Sequence, residues 1–96
     1  MPSEDLSVCR VCGLRQPREP PWGSDGEDPT FGFCACCGTE FGYQDATVAG
    51  VLRQRQRWLD AGANWDEPSE KPDDWHREAQ LAQIPPRWRS DAPRLR

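Results

Sequence analysis

At 96 residues and 10.9 kDa the chain is long enough for one small domain and too short to bury a large core. Its hydrophobic fraction is 35%, against the roughly 45–50% (Gly included) of ordinary globular domains, and ten Pro with eight Gly make it rich in loops. The net charge of −4 opposes a general grip on nucleic acid, no apolar run approaches the roughly 18–20 residues that span a bilayer, and the start Met1-Pro2-Ser3-Glu4-Asp5 has neither the basic nor the apolar region of a secretory signal.

The expected location is therefore the reducing cytoplasm. There, closely spaced cysteines read as metal ligands rather than as disulfides. A chain so poor in apolar side chains also needs a staple of some kind.

Residues 1–44 hold all five Cys. The first motif is Cys9-Arg10-Val11-Cys12-Gly13 and the second is Cys34-Ala35-Cys36-Cys37-Gly38. The loop between them carries Pro17, Pro20, Pro21, Gly23, Gly26 and Pro29, which excludes regular helix and central strand. Phe31-Gly32-Phe33 before the second motif and Phe41-Gly42-Tyr43 after it alternate large and small residues, the pattern of a short β-hairpin around a turn.

The chemistry lies in Cys9, Cys12, Cys34 and Cys37. Two C-x-x-C pairs separated by 21 residues approach the four-Cys zinc template. Each pair is followed by Gly, which tolerates the positive φ of a tight metal knuckle. Four thiolates close a tetrahedral shell and leave no position for substrate, so one structural Zn2+ per chain is expected. Such an ion contributes on the order of 10–16 kcal/mol, far more than a small core supplies. The fifth thiol, Cys36, is expected to fill space beside the site rather than to bind. Paired knuckles of this kind also resemble the iron site of rubredoxins, so an iron electron carrier is the alternative.

The stretch Cys9–Gly13, followed by Phe33-Cys34-Ala35-Cys36-Cys37-Gly38-Thr39-Glu40-Phe41-Gly42-Tyr43-Gln44-Asp45, resembles the small bacterial cysteine-rich CPCC proteins. Over residues 8–65 that resemblance implies a zinc-ribbon-like fold with Cys9, Cys12, Cys34 and Cys37 as ligands. It implies no activity, since that family is functionally uncharacterised. Here the doubled Cys stands in the second knuckle and neither knuckle contains Pro.

Residues 45–62 form the expected main helix. Val48, Val51, Leu52, Trp58 and Leu59 share one face, Asp45 or Thr47 caps the start, and Gly62 ends it. Gly50 weakens this helix by about 1 kcal/mol. Arg53, Arg55 and Arg57 are expected on its solvated side, paired with Asp60 or Glu residues.

Residues 63–96 form a Pro/Trp-rich arm. A turn-rich linker spans 64–73, and a short helix over 75–83, capped by Asp74, presents Trp75, Ala79 and Ala82 on one face. Residues 87–96 read as a loose tail in which Trp88 is an anchor. Trp58 and Trp65 are expected to cover the knuckles or to pack the helix onto the hairpin, and Trp22 to stack on Pro21, while Trp75 and Trp88 are read first as core or loop packing, with partner anchoring as the alternative. His76, the single His, has no ligand or nucleophile pattern around it and reads as solvated.

These features together predict one small α+β domain, a four-Cys zinc ribbon packed on one helix with the arm wrapped over both. They suit a non-enzymatic module that binds another protein. No small-molecule substrate is indicated. A nucleic-acid-binding ribbon using the Arg-rich C-terminal half is a further alternative. Residues 46–96 hold nine basic and eight acidic side chains, too even a balance for binding to random DNA or RNA.

Overall fold

Thr47 starts the longest regular element. Its backbone is extended (φ −127°, ψ 161°), and its hydroxyl oxygen accepts the Gly50 amide at 3.0 Å, satisfying a donor the helix would otherwise leave orphaned. Helix α1 then runs Val48–Asp60 in the computed structural model, which describes residues 5–16 and 18–89. It is shorter than the expected 45–62 span at both ends. Ala61 caps it, and Gly62 follows in the left-handed region at φ 108°. Val51 and Trp58 are buried, and Val48 and Leu59 pack against the same core.

Asp45 is no helix cap. It is fully buried. One carboxylate oxygen accepts the Gly42 amide at 2.7 Å and the other accepts Trp22 Nε1 at 2.9 Å. Trp22 is thus tied to the approach of α1. Its ring lies against the Arg10 guanidinium, 4.0 Å from the ring centroid.

Two turns of matching geometry precede the helix. Cys9 N–H donates to Leu14 O and Gly13 N–H to Cys9 O, each at 2.9 Å. The second turn repeats this from Cys34 N–H to Thr39 O and from Gly38 N–H to Cys34 O, again at 2.9 Å. Each turn is closed by one antiparallel bridge, Val8 to Arg15 and Phe33 to Glu40. The expected hairpin strands reduce to these bridges, and no longer ladder forms among the described residues. Around the second turn the pairing is interrupted on both sides, by the left-handed backbone at Phe31 (φ 63°) and at Gly42 (φ 96°).

The linker expected over 64–73 is docked rather than loose. Trp65 is buried, and Asp66 and Glu67 donate their amides to Cys36 O and Ala35 O at 2.9 Å. The short helix α2 covers Arg77–Leu81, capped by His76, whose Nδ1 accepts the Ala79 amide at 3.3 Å. Asp74 does not cap it, and Ala79 and Ala82 are exposed. The inward residue is Gln80, because its amide satisfies three polar groups while an Ala face buries little. The chain then turns through Pro86–Trp88, which packs against α1.

Trp88 is 2% exposed, so it is a core residue and not a free partner anchor. Its ring centroid lies 4.1 Å from the Arg10 guanidinium carbon. Residues 90–96, most of the expected tail, and residues 1–4, on which the reading of the N-terminus rests, lie outside the described residues.

Because Trp88 closes the core against α1, Trp88→Ala should cost the metal-loaded protein about 3–5 kcal/mol in denaturant unfolding. A loss within about 0.5 kcal/mol, typical of surface sites, would mean that the arm is not part of the folded unit.

Candidate metal centre

The two turns place their cysteines face to face. Cys9 Sγ lies 3.7 Å from Cys37 Sγ, and Cys12 Sγ lies 3.7 Å from Cys34 Sγ. All four sulfurs are within 4.8 Å of one another. The short distances run between turns, so each turn supplies half of an interleaved set. These are free thiols, well beyond the S–S length of about 2.05 Å in a disulfide.

A tetrahedral ion with Zn–S near 2.3 Å has sulfur–sulfur edges of about 3.8 Å. The donor set and its spacing therefore fit a thiophilic cation. Cys9, Cys12 and Cys34 are fully buried and Cys37 is 9% exposed.

Sequence explains why each turn holds its shape. Gly13 and Gly38 have φ of 85° and 75°, values that a residue with a Cβ seldom adopts. Space is short as well. A Cβ on Gly13 would lie 2.1 Å from Gln80 O, and one on Gly38 would lie 3.2 Å from the Asp66 carboxylate. Both glycines are thus positions where the C-terminal arm rests on a turn.

Polar groups converge on the sulfurs. The Val11 amide donates to Cys9 Sγ at 3.4 Å, Gln16 Nε2 approaches Cys34 Sγ at 3.8 Å, and Thr39 Oγ1 lies 3.0 Å from Cys37 Sγ. Such donors orient ligands and spread thiolate charge.

Burial and hydrogen bonding push three of these thiols in opposite directions. Burial pushes the Cys9 and Cys12 thiols up. Hydrogen bonds from Cys12, Cys37 and Cys9 pull Cys34 well down. Four thiolates together require a positive ion among them.

Cys36 stands outside this group. In the repeat it corresponds to Val11, and both side chains are fully buried. Gln80 Nε2 lies 3.3 Å from Cys36 Sγ and also donates to Cys12 O at 3.2 Å, while Gln80 Oε1 accepts Trp75 Nε1 at 2.9 Å. His76 is exposed and far from ligand duty as a helix cap.

Sequence reasoning missed Arg55. Rather than facing solvent, it donates to Val11 O at 2.7 Å, Arg10 O at 2.8 Å and Trp88 O at 2.6 Å. It joins α1, the first turn and the arm. Helical spacing sets Arg55 apart from Arg53 and Arg57, which share a face four residues apart, but it does not give the carbonyls that Arg55 meets. Gln80 was missed too, although a lone Gln on the inward side of a short helix is a weak signal of a polar contact.

No family model matches the chain, and no solved structure matches it. It is similar to the uncharacterised protein YozI of Bacillus subtilis (strain 168), 29% identical over 84 residues of alignment, covering 72% of this chain and 69% of that protein. No helix among the described residues is long and apolar enough to cross a membrane.

Two outcomes follow for the ligand set. Cys12→Ser should lower metal content from one ion per chain to well below half and remove tertiary structure, whereas Cys36→Val, which copies the equivalent Val11, should keep one ion. Native mass spectrometry reads both.

The pH dependence has a defined sign. The raised Cys9 and Cys12 groups favour the fold below the unfolded thiol value and lose that as pH rises, while the lowered Cys34 group acts in the opposite sense. With a cation bound the four thiolates are favoured in the fold, protons compete with the metal, and stability is lost as pH falls. Metal content and near-UV circular dichroism should therefore fall together on acidification. Metal retained in a chain that has unfolded in acid would contradict this.

Proposed function

We propose that Cys9, Cys12, Cys34 and Cys37 hold one structural Zn2+ in a zinc-ribbon-like fold and that the protein is a non-enzymatic module acting through contact with another protein. The observation that supports this most is the closed set of four buried sulfurs, two pairs of them 3.7 Å apart and all within 4.8 Å of one another. Four protein ligands leave no vacant position, and the centres that activate water keep one. When bound, the ion supplies a cross-link between the two turns. This chain's own residues do the rest: Val11, Gln16 and Thr39 orient the thiolates, and Gln80 and Arg55 fasten the outer segments over them. Free thiols at every cysteine suit a reducing compartment such as the cytoplasm.

The arrangement of the remaining titratable groups supports a non-catalytic role. The single His caps a helix at the surface, and the buried carboxylate of Asp45 is consumed by an indole and an amide.

Metal analysis of protein purified without added metal tests the identity of the ion. About one zinc per chain in a colourless sample is expected, and exchange with cobalt should give the intense absorption of tetrahedral thiolate coordination. A coloured protein with about one iron per chain and a reversible one-electron reduction would favour the electron-carrier reading instead.

A further inference from the structure

One side of the molecule is unlike the rest. Among the described residues, the large apolar side chains that remain exposed are Phe31, Phe33 and Tyr43, at 61%, 63% and 74%, and all three flank the second turn. Phe33 and Phe31 stand two residues apart on the arm that pairs with Glu40 and Phe41, and both rings are exposed while Phe41 is buried in the core. Phe31 is held at φ 63°, a costly backbone for a bulky residue. Its Cε1 comes within 2.8 Å of where a Gly42 Cβ would stand. The ring is thus laid across Gly42, next to Tyr43, instead of being buried.

Tyr43 continues this apolar strip into a groove of about 380 Å³ against the first half of α1, lined also by Gly50, Arg53 and Arg57. Gly50 explains part of its depth, because a Cβ there would lie 2.8 Å from Gln44 O. The two arginines stand four residues apart, on one face. Neither has a carboxylate within ion-pair distance among the described residues. Arg57 reaches only Gln54, at 3.4 Å, and Asp60 is taken by Gln56 at 2.8 Å. The expected pairing of these arginines with acidic neighbours is therefore absent, in a chain that has more acidic than basic residues.

We propose that this strip and groove bind an acidic segment of a partner protein, with an aromatic or aliphatic side chain laid on Phe31, Phe33 and Tyr43 and carboxylates received by Arg53 and Arg57. Two unpaired guanidiniums match carboxylates in planar, two-pronged geometry, and Tyr and Arg are the residues that anchor interfaces. Glu40 opposes Phe33 and repels carboxylates there, which leaves the apolar part of the partner over the rings and its acidic part over α1. A phosphate backbone is the poorer fit, because two arginines make too small a basic patch to track it. The proposal deepens the protein-binding reading and rests on the metal-held fold for the groove's shape.

Selection of phage-displayed random peptides on the metal-loaded full chain tests it, with fluorescence polarisation of the selected peptides and of an oligothymidylate as readout. Selected peptides should carry two carboxylates beside an aromatic or aliphatic residue and should bind more weakly as salt is added. Arg53→Glu with Arg57→Glu, and separately Phe33→Ala with Tyr43→Ala, should each weaken binding about tenfold or more, while metal content and circular dichroism stay at wild-type values. Failure to select any peptide, selection of basic peptides, or binding that both double variants retain would overturn the proposal. So would tighter binding of the oligothymidylate. Metal content measured on the same samples separates the two claims. One ion per chain without acidic-peptide binding removes the groove alone, and peptide binding by a chain that holds no metal supports the groove and removes the metal reading.

Discussion

The fold depends on sulfur atoms from two distant turns meeting at one point. Cys9 and Cys12 are separated from Cys34 and Cys37 by a loop full of Pro and Gly. Bringing those ends together costs loop-closure entropy, and the turns themselves return only one bridge each. Buried thiols packed against one another do not compensate well, since burial disfavours the charged state in which sulfur binds strongly. A thiophilic cation changes that balance, because it makes four thiolates mutually attractive through itself. The 3.7 Å sulfur separations across the two turns leave a group of four sulfurs that could hold such an ion.

The remainder of the chain is organised around that point in a repeated way. Each turn ends in a left-handed glycine, and on each glycine a segment from the C-terminal arm comes to rest, Gln80 on Gly13 and Asp66 on Gly38. The arm therefore covers both halves of the centre. Arg55 and Arg10 draw it to α1 and the first turn. Arg55 spans four backbone carbonyls, and Arg10 lies between the indoles of Trp22 and Trp88 at 4.0 and 4.1 Å. Guanidinium groups suit this use because they bond in their plane and stack on their faces. With few aliphatic residues to bury, the protein uses aromatic rings and arginine stems as its covering layer.

Legibility in the sequence followed periodicity and spacing. The cysteine pairs, the Gly after each and the apolar face of α1 are local patterns, and they lead directly to the four-sulfur group and to the core positions Val51 and Trp58. What could not be read depended on contacts between distant segments. Asp45 looks like a helix cap until Trp22 Nε1 and the Gly42 amide are found at its two oxygens. Arg55 lies off the face shared by Arg53 and Arg57, but the four carbonyls it meets come from elsewhere in the chain. The short helix over Arg77–Leu81 is oriented by a Gln, which apolar periodicity does not weigh. The hairpin strands shrank because the alternation that suggested them sits beside left-handed turns at Phe31 and Gly42. The doubled cysteine resolved through comparison of the two turns, where Cys36 and Val11 hold equivalent buried positions.

The account stands on the coupling of ion and fold. Amide hydrogen–deuterium exchange of the full chain, before and after stepwise chelation, measures that coupling at each turn. The expected result is that protection at Gly13, Gly38 and Val51 disappears in parallel with the loss of one ion per chain, and returns when zinc is restored. Protection that persists unchanged in a chain stripped of metal would contradict the account.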